Sequence, residues 1–245
     1  MKRKAIIIAS TPRIGEGHHL KGVRKDVEIY YNYLLSQTGG CWNKSEIEVY
    51  FNSNSKDVRE GLRNLEADYT VTLFTGHGGS LNSGISNMLF FITDTETIGL
   101  SDLFNKSKKQ LIIIDTCRTL IEDKINKAEE EDFGFLYTQG FKEQARCLYN
   151  KQIENSDNGV VILTSCSQDE ISLEDGDGSY FLKSLIKAGI DYSFGSVSNP
   201  ILDIKQAFQK SSIHLGFLPT KQNPELTAGK VFTWFPFAVN SCTFL

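Results

Sequence analysis

Two short stretches of the chain carry side chains able to do covalent chemistry. One, Thr75-Gly76-His77-Gly78-Gly79, sets an imidazole among glycines, which let the backbone turn sharply and leave N–H groups bare. The other, Asp115-Thr116-Cys117, sets a thiol just after the apolar run 111–114. The thiolate is the reactive form of cysteine, and a neighbouring imidazole lowers the thiol pKa or accepts its proton. If the two stretches meet, Cys117 is a candidate nucleophile and His77 its base. The backbone N–H groups of Gly78 and Cys117 then point at a developing oxyanion. Taken singly, each residue has a plainer reading: a strand-end cysteine as inert core, a histidine among glycines as part of a turn.

What must position them is an alternation of strands and helices. Residues 5–9, 47–51, 69–74, 111–114 and 160–164 are short apolar runs that read as strands, and 89–92 reads as a short extra one. Between the first two runs, Val23, Val27, Tyr30, Tyr31, Leu34 and Leu35 recur at helical spacing before Gly39-Gly40. Ser55 is placed to cap a helix with Val58, Leu62 and Leu65 on one face. A later helix carries Tyr180, Phe181, Leu185 and Ile186 and ends at Gly189; Asn199-Pro200 reads as the start of another, and "VFTWFPFAV" as a terminal strand. The alternation predicts an α/β sandwich with a mainly parallel sheet and helices on both faces. In such sheets, sites form outside the carboxyl ends of the strands, where both stretches would lie. From Arg118 to Asn158 the periodicity lapses, and about 120–157 reads as an insert within a single domain, 1–245. The turn "SLEDGDGS" reads as a solvated loop near the cleft.

Composition narrows the function classes. The 245 residues are 40% hydrophobic and 23% charged, the balance of a globular domain with a sizeable core. A net charge of −4 without a basic run gives no reason to expect nucleic acid or an anionic membrane as partner. No stretch approaches the roughly 20 apolar residues of a membrane span, and the amino-terminal apolar run is shorter than the roughly 7–15 residues of a secretory signal. Five cysteines at irregular spacing favour free thiols in a cytoplasmic setting, and the absence of C-x-x-C or C-x-x-H pairs leaves metal clips unsupported.

The pieces "KAIIIAS", "LKGVRKDVEIYYNYLLSQTGGCW", "TVTLFTGHGG", "LIIIDTCRT", "GVVILTSCSQDEIS" and "GDGSYFLKSLI", with "QNPE" and "FPFAV" near the end, resemble the caspase-like cysteine peptidases. The likeness is greater to metacaspases and bacterial caspase homologues than to animal caspases. It implies an endopeptidase with His77 and Cys117 as catalytic dyad. It also implies a pocket for the side chain before the cut bond, lined by Asp26, Asp115 and Thr75. Two carboxylates there pair with arginine or lysine, arginine gaining most from bidentate geometry, so cleavage after Arg or Lys is expected. As a helix N-terminal acid favoured by the dipole, Asp26 has a plainer reading too.

The chain departs from metacaspases where Arg118-Thr119 replaces their His-Ser-Gly, and its acids between the catalytic stretches are scattered. That argues against calcium dependence, and no other cofactor is implied. The resemblance makes the insert an intersubunit linker open to autocleavage, with Lys124, Lys127, Lys142, Arg146 and Lys151 as positions and Arg146 the first choice. It implies a protein or peptide substrate, a gasdermin or another defence protein among the options, and a role in antiviral defence or programmed cell death. A free edge strand near the carboxyl terminus would allow a homodimer. The alternative is a catalytically silent caspase-like regulatory or binding module; the presence of both His77 and Cys117 argues against it.

Overall fold

The computed structural model describes residues 1–12, 20, 22–118, 141–217 and 222–244. Along the chain these form β1 (Arg3–Ser10), α1 (Gly22–Leu35), β2 (Ile47–Phe51), α2 (Ser55–Arg63), β3 (Tyr69–Gly76), β4 (Gly78–Ser80), β5 (Met88–Phe91) and β6 (Thr97–Gly99). They continue with β7 (Lys109–Asp115), α3 (Lys142–Asn155), β8 (Gly159–Thr164), β9 (Glu174–Asp175), β10 (Gly178–Ser179), α4 (Tyr180–Phe194), β11 (Ile201–Asp203), α5 (Ile204–Gly216), β12 (Glu225–Ala228) and β13 (Pro236–Val239). A six-stranded sheet in the order β12-β8-β7-β3-β1-β2 runs through the centre. Its strands are parallel except β12, which lies antiparallel along β8.

The continuous aliphatic runs are explained by burial on both faces of that sheet. Ile7, Leu73, Leu111, Ile113 and Leu163 point to one side, under α1, α3, α4 and α5. Ile6, Ile8, Phe74, Ile112 and Ile114 point to the other, under Val58 and Leu62 of α2 and Met88 and Phe90 of β5. The expected α/β sandwich, mainly parallel with helices on both faces, is the fold observed.

Local readings differ at several places, one being the terminal strand, which spans Pro236–Val239 of the run 231–239. The second half of the supposed insert is α3, with Ala145, Tyr149 and Ile153 buried along one face. Small and aromatic residues at that spacing gave a weak apolar rhythm, yet the stripe is complete. Tyr149 meets the Trp42 ring edge-on at 6.3 Å, and the buried Arg3 guanidinium lies 4.4 Å from the Trp42 ring centre. Asn199-Pro200 leads into β11, which pairs with β13, and the helix begins at Ile204, capped by the Asp203 carboxylate accepting from the Gln206 N–H at 2.8 Å. The cap of α2 is likewise Asn54 rather than Ser55, accepting from the Asp57 N–H at 2.8 Å. Gly189 is inside α4; a Cβ there would lie 2.4 Å from the Tyr33 hydroxyl, so the glycine marks close helix packing and not a helix end.

Because α3 is core, Tyr149→Ala is expected to cost about 3 kcal/mol or more of unfolding free energy in urea melts. Loss of less than about 1 kcal/mol would place α3 among dispensable surface segments.

Candidate active site

The site begins with the register of β3 against β7. Thr75 pairs with Asp115 at the carboxyl end of both strands, so His77 and Cys117 leave the sheet at corresponding positions, two residues beyond. Past that point β4 turns away to pair with β5, Gly78 opposite Phe90, and the Phe91 N–H donates to the His77 carbonyl at 3.0 Å. The two loops pack together without a gap: a Cβ on Gly78 would lie 2.4 Å from the Thr116 hydroxyl. Gly78 is therefore held to glycine by the neighbour loop.

Backbone and side-chain bonds fix the Cys117 loop from several sides. The Thr116 N–H donates to the Ser165 hydroxyl at 3.2 Å, and the Arg118 N–H to the Glu170 carbonyl at 2.9 Å. The buried Arg118 guanidinium donates to the Cys166 carbonyl at 3.1 Å and pairs with Glu225 on β12. Cys166 is fully buried, its thiol donating to the Thr116 carbonyl at 3.4 Å, and burial drives its pKa far up. It is a core residue.

Cys117 itself is half-buried and donates to the Ser172 carbonyl at 3.8 Å. Burial pushes its thiol above the ordinary cysteine range, and the carboxylates of Asp115 and Glu174 add to the effect. Both effects disfavour the thiolate, the form in which a cysteine attacks a carbonyl.

Two carboxylates lie deeper. Asp26, on α1, is 1% exposed; it accepts from the Thr75 hydroxyl and the Ser179 N–H, each at 2.8 Å. Asp115 is 4% exposed; it accepts from the Ser172 hydroxyl at 2.7 Å and from the Ser179 hydroxyl. Among the described residues neither forms an ion pair. Burial raises the pKa of both, and for Asp26 the Asp115 charge raises it further. Close by, Asp175 does have a cation: Lys183 reaches both its oxygens at 2.6 Å. The acids ahead of β7 are engaged elsewhere, Glu96 accepting from the Ser55 N–H at 2.8 Å and Asp102 pairing with Arg59 at 3.1 Å.

A family model described as "Caspase domain" matches residues 2–234. The chain belongs to the caspase-domain family. Among solved structures, caspase-1 from Spodoptera frugiperda is similar in fold, with a TM-score of 0.59 at 14% identity over 92% of this chain and 88% of that one. No curated protein sequence matches. Family membership supports a proteolytic function through a cysteine.

Thr75, His77, Gly78, Asp115 and Cys117 all fall at this one sheet edge of the caspase domain, and Asp26 reaches it from α1 through its bond to Thr75. Arg146 does not come near. It sits within α3, its guanidinium donating to the Cys41 carbonyl at 2.7 Å and to Glu46 at 2.8 and 2.5 Å. A helix must unwind before a protease can take it in extended form, and these bonds give Arg146 a structural role in the folded chain. Lys142 and Lys151 share α3, while Lys124 and Lys127 lie outside the described residues. The turn read as solvated is the β9–β10 hairpin, with Asp175, Gly178 and Ser179 buried. Sequence reasoning missed Ser172 and Ser179; a hydroxyl at each end of an acidic, glycine-rich turn was the available signal.

Two outcomes follow from these environments. Iodoacetamide labelling of Cys117, followed by peptide mass mapping, is expected to keep accelerating above about pH 8.5, the free-cysteine midpoint; a plateau near neutrality would mean a preformed thiolate. A buried acid with a raised folded-state pKa binds more protons folded than unfolded, so its contribution to stability declines as pH rises from the unfolded carboxyl range, about 3.9, through the folded value. Asp26→Asn removes that decline and keeps both hydrogen bonds, since the Thr75 hydroxyl can accept from the new amide. The variant is expected to melt at least about 2 °C above wild type at neutral pH, with the gap closing toward about pH 4. A lower melting temperature at neutral pH would show that the acid stabilises the fold.

Proposed function

We propose that this caspase-domain protein is a cysteine endopeptidase that cuts after arginine or lysine. The observation carrying the proposal is the pair of buried carboxylates, Asp26 and Asp115, lacking a cation among the described residues at the sheet edge that bears Cys117. Burying two like charges is costly unless an opposite charge arrives with the ligand. A substrate guanidinium or ammonium supplies it, and an acidic side chain is repelled.

In the reaction, His77 takes the thiol proton as Cys117 attacks the scissile carbonyl. Backbone N–H groups of Gly78 and Cys117 stabilise the oxyanion. Collapse forms the thioester, and the departing amine receives the proton from His77. Water, deprotonated by the same imidazole, then hydrolyses the thioester and regenerates the thiol. The raised thiol pKa fits general-base activation at the moment of attack.

The test is hydrolysis of a peptide library varied only at the residue before the cut bond, with wild type and Cys117→Ala. Cleavage after Arg or Lys that disappears in the variant is the expected result. Cleavage after Asp would overturn the pocket and leave the nucleophile; cleavage surviving in the variant would overturn the nucleophile.

A further inference from the structure

Each oxygen of the two pocket carboxylates is held by its own donor. On Asp26 these are the Ser179 N–H and the Thr75 hydroxyl, both at 2.8 Å. On Asp115 they are the Ser172 hydroxyl, at 2.7 Å, and the Ser179 hydroxyl. A carboxylate offers about four acceptor sites, and a partner on every oxygen fixes the plane of the group; the Ser165 hydroxyl and the Leu182 N–H also bear on Asp115.

The donors are themselves held. The Ser179 hydroxyl accepts from the Leu182 N–H at 3.1 Å as the cap of α4, which directs its own proton to Asp115. The Ser172 hydroxyl faces the Gln222 amide at 3.4 Å, and that amide also donates to the Ser165 carbonyl at 2.9 Å. The Ser172 carbonyl in turn accepts from the Cys117 thiol at 3.8 Å. Ser172 therefore touches both the pocket and the nucleophile.

We infer that Ser172 and Ser179 are specificity-determining positioning residues, whose hydroxyls hold Asp115 in a fixed plane beside Asp26 and so favour arginine over lysine before the cut bond. This rests on the cleavage proposed above. A guanidinium is a rigid planar fork whose bidentate bonds need acceptors at set positions, whereas an ammonium is a point charge that tolerates rotation of its partners. Freeing Asp115 to rotate should cost an arginine substrate more than a lysine one.

The experiment measures kcat and KM of wild type, Ser172→Ala, Ser179→Ala and Ser172→Thr on matched peptides carrying Arg, Lys or the neutral arginine isostere citrulline before the cut. For arginine peptides, KM is expected to rise about 10- to 100-fold in the alanine variants, the range set by one hydrogen bond to a charged group, with kcat changed less. The Arg-to-Lys ratio of kcat/KM should fall, and Ser172→Thr, which keeps a hydroxyl, should restore part of it. Ser172 caps no helix, so its variants answer the question even if Ser179→Ala fails to fold. An unchanged Arg-to-Lys ratio in Ser172→Ala would overturn the inference while leaving basic-residue cleavage standing. A wild type that cuts after neither Arg nor Lys would overturn both.

Discussion

The parallel pairing of β3 with β7 is the constraint from which the rest of this site follows. Two strands with far-separated positions in sequence are locked side by side along their length, with Val71 on Leu111, Leu73 on Ile113 and Thr75 on Asp115. A slip of one residue would turn every side chain of a strand to the opposite face. Both faces are filled with large aliphatics, yet the polar end of each strand would then be carried to the wrong side of the sheet. The register thus fixes the positions of the imidazole loop, the thiol loop and one of the pocket acids at once.

The electrostatics of the site run against the economy of the fold. Most charged groups in the interior have partners: Arg3 with Glu46, Arg118 with Glu225, Lys183 with Asp175. Among the described residues, Asp26 and Asp115 are held by hydroxyls and backbone amides, donors that orient an acid without cancelling its charge. The contrast with Asp175, a few residues from Ser179 and fully paired, shows that this part of the chain places a cation where the fold needs one. Buried carboxyls with raised pKa and no cation among the described residues are the kind of group that clusters at functional sites.

Much of this was legible in the sequence, because the strongest signals are local. Continuous aliphatic runs gave the five central strands, and the order of the glycine-flanked histidine and the strand-end cysteine pointed to the sheet edge at which both loops lie. Readings failed where tertiary contacts decide. Ala145, Tyr149 and Ile153 are a modest stripe until Trp42 and Arg3 are packed around them. Asn199-Pro200 has the chemistry of a helix start, but pairing with β13 takes the backbone into a strand first. Gly189 looked like a stop and is the point where α4 meets Tyr33. Ser172 and Ser179 carried only a weak signal, since a hydroxyl in a polar turn has no periodicity and its partner, Asp115, lies on another strand.

Ser179 belongs to two structures at once: it closes the pocket on Asp115 and opens the first turn of α4. Descendants of this chain therefore cannot vary the pocket wall as freely as a surface loop. A replacement that suits a new substrate must also begin a helix packed deep in the core, and one that begins the helix well must still present a hydroxyl inward. A change at Ser179 thus acts on the surroundings of Asp115 and on the first turn of α4 together.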